Sequence, residues 1–198
     1  MRDILKSNTK FNPNLIEDPE NIKRLYVERN DLRDIDFERF VNLEALDISH
    51  NNITSIKYLP KTLKWLCLAD NPIKNYEPLY GLINLEVLWA HQSGININEC
   101  DLLRKLKHLL LDDCPQIINI DVVKKFESLS ILELKNNNVY NIEPVKNLSL
   151  TFLNLENNNV ADISCLSNMY TLKKLNLKNN YVRDYSVLKT LNLRRLNI

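Results

Sequence analysis

Glycine is nearly missing from this sequence. Gly81 and Gly94 are the only two among 198 residues, so neither of the common glycine-rich phosphate-binding loops can be assembled. The three histidines, His50, His91 and His108, form no H-E-x-x-H, and no G-x-S-x-G exists for a nucleophile elbow. No catalytic residue is assigned, and the chain is expected not to be an enzyme. Four cysteines, Cys67, Cys100, Cys114 and Cys165, lie far apart without a C-x-x-C pair, which argues against a zinc site and against a dense disulfide framework. Reduced thiols are expected, with no metal and no cofactor. Charge of one sign is lacking as well: 26 Lys plus Arg stand against 25 Asp plus Glu, a net charge of +1. So even a balance provides no field to draw nucleic acid or an anionic membrane. Long apolar runs are also absent, since nothing approaches the roughly 18 residues of a membrane span. The first twenty residues hold no apolar run of secretory length. These absences give an expectation of a cytoplasmic protein without membrane insertion, with leaderless secretion as an effector left open.

What the sequence has is repetition. Leu150, Leu153 and Leu155 open an L-x-x-L-x-L pattern that continues through Asn158, Val160, Ile163, Leu166 and Met169. Leu172, Leu175, Leu177, Asn180, Val182, Tyr185 and Leu188 restart it after 172 − 150 = 22 residues. Earlier units begin at Ile22, Leu43, Leu63, Leu85, Leu106 and Leu129, and a partial ninth at Leu193. A period of about 20 to 29 residues marks a solenoid in which each unit buries its apolar face only against its neighbours. Residues 1–21 do not fit the pattern and are expected to form an N-terminal cap, with Ile4, Leu5, Phe11, Leu15 and Ile16 over the open end of the core. Residues 22–198 form the repeat domain. The unit from Leu85 is the least regular, with Ser93 where asparagine is expected; the next has Cys114 there, followed by a candidate short helix at residues 121–126.

These units resemble the leucine-rich-repeat family, in the 22-residue class shared by internalins and by a type-1 phosphatase regulator. The stretches at residues 158–166 and 141–145 have the internalin-like spelling, and Leu59 to Leu63 resembles the L-P-x-x-L units of bacterial effectors. The resemblance implies an α/β solenoid: a right-handed horseshoe with a parallel concave β-sheet, short 3-10, helical or irregular convex segments, and about eight full repeats plus a partial ninth. It also implies protein binding along the concave sheet and no catalytic residues. Two finer roles stay open, a regulatory or targeting subunit of an enzyme such as a type-1 protein phosphatase, and an effector or internalin-like binder of host proteins.

Within each unit the leucines of the L-x-L segment point into the core, and the third, fifth and seventh places point outward. The asparagines at the turn, Asn30, Asn51, Asn71, Asn137, Asn158 and Asn180, are expected to satisfy buried backbone groups of adjacent units. The outward places bring both tryptophans, Trp65 and Trp89, onto one surface. Around them the predicted protein-binding residues are Tyr26, Asp47, Cys67, Val87, His91, His108, Leu110, Asp112, Ile131, Glu133 and Phe152. Exposed aromatic anchors with a polar rim are the makings of a protein interface; cover by a loop or by a second copy is the alternative. His91, His108, Asp112 and Asp113 are near enough in pattern to suggest a metal site, but a pH-sensitive contact is the preferred use of the two histidines. The last strand, residues 193–198, ends without a capping segment, from which a continuing natural chain or a homodimer through this C-terminal edge is expected.

Overall fold

A computed structural model describes residues 2–5, 12, 15–33 and 36–198. Ten short strands form one open sheet in strict chain order, and every neighbouring pair is parallel. They are β1 (Arg2–Leu5), β2 (Ile22–Tyr26), β3 (Ala45–Asp47), β4 (Trp65–Cys67), β5 (Val87–Trp89), β6 (His108–Leu110), β7 (Ile131–Glu133), β8 (Phe152–Asn154), β9 (Lys174–Asn176) and β10 (Arg195–Asn197). The return path of most repeats is a single 3-10 turn, as at Asp121–Lys125, Glu143–Val145, Ser164–Asn168 and Ser186–Thr190. One short helix, α1 (Glu77–Tyr80), serves the repeat that follows the L-P-x-x-L unit. Three-residue strands and one-turn returns follow from the period: about 22 residues leave no room for longer elements.

The core is a column of leucines in register. Leu25, Leu46, Leu66, Leu88, Leu109, Leu132, Leu153 and Leu175 pair strand to strand, and each is at most 2% exposed. Their neighbours two places on, such as Val27, Ile48, Leu68, Leu111 and Leu134, are equally buried. The irregular fourth repeat keeps this core, since Ile95, Ile97, Cys100 and Leu103 are all buried. Phe37, fully buried against Phe40 with ring centroids 6.0 Å apart, is a core residue that the repeat pattern did not single out. At the N-terminal end β1 joins the sheet beside β2, a strand that the sequence did not reveal. Ile16 packs against the core as expected, but Leu15 is 78% exposed and covers nothing. Phe11, and Ile35 of the first repeat, lie outside the described residues.

The turn asparagines do what their position predicts. Asn51 donates to the carbonyls of Val27, Ile48 and Ser49, and its Oδ1 accepts the backbone N–H of Asn30 and Leu32. Asn137 likewise ties Leu111 O, 2.8 Å away, to Cys114 N at 2.9 Å. One side chain thus serves two repeats. At the exception, the Cys114 thiol donates to Ala90 O at 3.3 Å, and the Tyr76 hydroxyl accepts the Gly94 N–H at 3.0 Å. Asn137→Ala orphans buried groups on both sides and is expected to lower stability by about 1–3 kcal/mol, read from urea unfolding; an unchanged midpoint would mean that water replaces the amide.

The scarcity of glycine has a structural counterpart. The residue before each turn asparagine or its substitute takes a left-handed φ between 50° and 58°: Arg29, His50, Asp70, Gln92, Asp113, Asn136, Asn157 and Asn179. Most are Asn, Asp or His, which tolerate this region better than other non-glycine residues. Their side chains also stack, with Asn136 donating to Asp113, Asn157 to Asn136 and Asn179 to Asn157. This second amide ladder, outside the first, was not foreseen.

A charge ladder runs along the strand entrances. Lys23 and Lys64 both donate to Glu44, at 2.5 and 2.8 Å, and Lys107 donates to Glu86 at 2.7 Å. The two ammonium groups pull the Glu44 carboxyl from 4.5 down to about 2. A carboxylate with a depressed folded pKa contributes stability that is complete above its unfolded value and is lost as pH falls through the folded one. Wild type should therefore lose stability between about pH 4.5 and about 2 relative to Glu44→Gln, a small difference because the ladder is solvent-exposed. Parallel acid-melting curves for the two proteins would refute this.

Candidate functional site

The strand register lays the outward side chains in rows. The first row reads Arg24, Ala45, Trp65, Val87, His108, Ile131, Phe152, Lys174 and Arg195. The second reads Tyr26, Asp47, Cys67, Trp89, Leu110, Glu133, Asn154, Asn176 and Asn197. His91 and Asp112 follow their strands in a third row. All thirteen residues named from the sequence therefore lie on one face, spread over seven consecutive strands, β2 to β8.

An aromatic chain occupies the N-terminal half of that face. The rings of Tyr26 and Trp65 lie 5.8 Å apart at 57°, and those of Trp65 and Trp89 lie 5.2 Å apart, edge to face at 69°. Such tilted contacts suit the quadrupoles of aromatic rings. Between β2 and β4 the first row holds only Ala45, a side chain too small to hold the rings apart. Val87, Leu110, Ile131 and Phe152 continue the apolar surface, each half-buried. The Trp89 indole Nε1 is buried without a hydrogen-bond partner among the described residues.

Cys67 requires a correction. Its position faces the concave side, but it is 4% exposed, and burial together with the Asp47 charge pushes its thiol up to about 12. It is floor, not contact surface. Ser49, Ala69 and Asn154, also at outward places of the repeat, are buried as well. Cys100 and Cys165 are likewise pushed up to about 12, chiefly by burial, so none of these three thiols is a nucleophile at neutral pH.

The polar residues of the site are held in place by the backbone. Asp47 Oδ1 accepts the N–H and hydroxyl of Ser49, at 2.9 and 2.6 Å. Asp112 Oδ1 accepts the Lys135 N–H at 2.8 Å. Burial, with Glu133 and Asp113 adding repulsion, raises the Asp112 carboxyl above its usual range. His91 Nδ1 accepts the Asp112 N–H at 3.2 Å, which removes that nitrogen as a metal ligand. Among the described residues no three His, Cys, Asp or Glu side chains are grouped as a metal site would need. His108 stands in the first row between Val87 and Ile131, on the strand next to that of Trp89. Farther along, a depression of about 280 Å³ opens over Phe152, Lys174, Asn176 and Arg195. A second groove, about 580 Å³, lies away from this face, lined by Ile56, Tyr58, Glu77, Pro78 and Gly81.

Comparison with known proteins agrees with this architecture. The family model for the Leucine Rich Repeat matches residues 42–60. Internalin C2 of Listeria monocytogenes superposes with a TM-score of 0.84 at 28% identity, covering 90% of this chain and 81% of that one. The chain has the leucine-rich-repeat fold. An uncharacterised leucine-rich-repeat-containing protein of Amsacta moorei entomopoxvirus is 29% identical over 136 residues, 56% of this chain and 28% of the viral protein. The chain thus spans little more than a quarter of that relative's length. The receptor-kinase ectodomain of Arabidopsis thaliana solved with CASPARIAN STRIP INTEGRITY FACTOR 2 shares the fold, at 19% identity and a TM-score of 0.60, covering 90% of this chain and 27% of that one. Leucine-rich-repeat folds are generally protein-interaction modules and typically not enzymes. Among the described residues no helix is long and apolar enough to cross a membrane.

Proposed function

We propose that this leucine-rich-repeat protein is a non-catalytic binding module that holds a protein partner on its concave sheet, anchored by Trp65 and Trp89. The observation that carries the reading is the aromatic chain from Tyr26 through Trp65 to Trp89, half-buried on a rigid sheet and flanked by half-buried aliphatic side chains. Rigid aromatics lose little conformational freedom on binding, and a clustered set supplies the anchors around which interfaces form. Asp47, Asp112 and Glu133 supply the polar rim.

Of the two finer roles, the likeness to internalin C2 favours an internalin-like binder of host proteins over a phosphatase-type regulatory subunit. Capture from a lysate on the immobilised wild-type chain and on a Trp65→Ala/Trp89→Ala double variant tests the reading. The double variant should lose the specific partner while keeping the circular dichroism of the wild type. Equal capture by both would overturn the concave anchor. A captured phosphatase catalytic subunit would reverse the order of the two finer roles.

A further inference from the structure

On the concave face an acidic group on β6 and β7 stands apart from a basic pair on β9 and β10, and among the described residues no lysine or arginine side chain pairs with the first and no carboxylate with the second. Near the tryptophans, Asp112 is half-buried and faces Glu133 and Asp113. Its neighbour His91 uses Nδ1 as an acceptor, 4.0 Å from Asp112 Oδ2, and so brings it no proton through that nitrogen. Among the described residues the Glu133 carboxylate meets only the Asn154 amide, at 3.4 Å. At the far end Lys174 and Arg195 are direct register partners on β9 and β10. Neither forms an ion pair among the described residues. Like charges opposite one another on adjacent strands are destabilising. At the entrances of β2 to β6, by contrast, Glu44 and Glu86 each meet a lysine. A like-charged pair in register over a depression, and carboxylates beside half-buried aromatic rings, both point to compensation from outside.

We infer that the concave face takes one extended segment of a partner protein lying across the strands. An arginine of that segment sits against Trp65, Trp89 and the Asp112 and Glu133 carboxylates, and its acidic side chains lie in the depression over Lys174 and Arg195. The inference rests on the reading of this face as a protein-binding surface. A guanidinium suits the first subsite because it stacks on an indole face and pairs with carboxylates, both at once. The second subsite offers two cations above an apolar Phe152 wall, while the Asn176 amide beside them is held by Glu156 and the Lys178 N–H. From β5 to β9 is four strand steps, about 19 Å at ~4.8 Å per step, or about six residues of extended chain at ~3.3 Å each. The partner's basic and acidic positions should be separated accordingly.

Synthetic peptides test this with the intact protein, because its only two tryptophans lie in the proposed arginine subsite and report binding there by their own fluorescence. The probes are a Ser/Gly peptide with one arginine and two glutamates six residues apart, made in both chain directions, and versions with Arg→Gln, with both Glu→Gln, or with the spacing cut to two residues. In at least one direction the full probe should bind about tenfold or more tighter than each altered probe. The protein variant Lys174→Glu/Arg195→Glu should reverse the preference, favouring a probe with arginine at both ends. Asp112→Asn keeps the hydrogen bond from Lys135 and should weaken only probes that carry arginine. Equal affinity for all probes, no emission change at millimolar concentration, or no reversal in the charge-swapped variant would each overturn the inference. If lysate capture still depends on Trp65 and Trp89 in that case, the binding face stands and only its polarity is wrong; if capture does not depend on them, the binding face itself falls.

Discussion

Leu132→Ala is expected to lower the stability of the protein by about 2–5 kcal/mol. Leu132 is fully buried at the middle of the leucine column, in register with Leu109 on one side and Leu153 on the other. Removing its isobutyl group takes away transfer free energy and leaves a cavity. How much the cavity costs depends on whether the walls can close. Here they are fixed from both sides: the adjacent strands are hydrogen-bonded in register, and the Asn137 amide pins the turn that follows. The same leucine place on β10, Leu196, is 40% exposed, so Leu196→Ala should cost well under the buried substitution, within about 1 kcal/mol. Urea unfolding of both variants measures the contrast. Because a solenoid is coupled only through nearest neighbours, hydrogen exchange should place the Leu132 defect first in β6 to β8. Equal losses for the two variants would mean that the column does not carry the stability assigned to it.

Trp65→Ala and Trp89→Ala are each expected to weaken partner binding by about 2 kcal/mol or more, roughly thirtyfold per site. The two differ in their effect on the fold. Trp65 touches both Tyr26 and Trp89, so its loss removes two ring contacts, each worth about 0.5–1.5 kcal/mol beyond area burial. Trp89 takes part in one such contact, and its indole N–H has no partner among the described residues, so its removal relieves an unsatisfied donor. Binding calorimetry with the captured partner, paired with thermal melts, should therefore show similar affinity losses but a larger drop in melting temperature for Trp65→Ala. Affinity losses that simply follow the stability losses would assign the aromatic chain to folding instead of recognition.

Much of the site was legible because one rule, alternation along a strand, recurs at nearly constant spacing. It placed Trp65, Trp89, His108, Leu110 and the rest on one face, and the register agrees residue by residue. The rule failed where it equated facing outward with being accessible. Cys67 and Asn154 face outward by register and are nonetheless buried, at 4% and 7% exposure. A search for lysine and glutamate at the second place of consecutive repeats would have revealed Lys23, Glu44, Lys64, Glu86 and Lys107, the ladder in which each glutamate meets a lysine. The left-handed residues gave no glycine signal because asparagine, aspartate and histidine fill most of those places.

The sequence by itself determined the period, the inward leucines and the asparagine that closes each turn, since all three depend on spacing within about 22 residues. Only the tertiary structure decided which outward side chains meet. Ring contact between Tyr26, Trp65 and Trp89, the shelter over Cys67, the opposition of Lys174 to Arg195 and the depression beside them are relations between strands, each made of residues from different repeats. They depend on register and on the size of the side chain next door, quantities that exist only once the repeats are stacked.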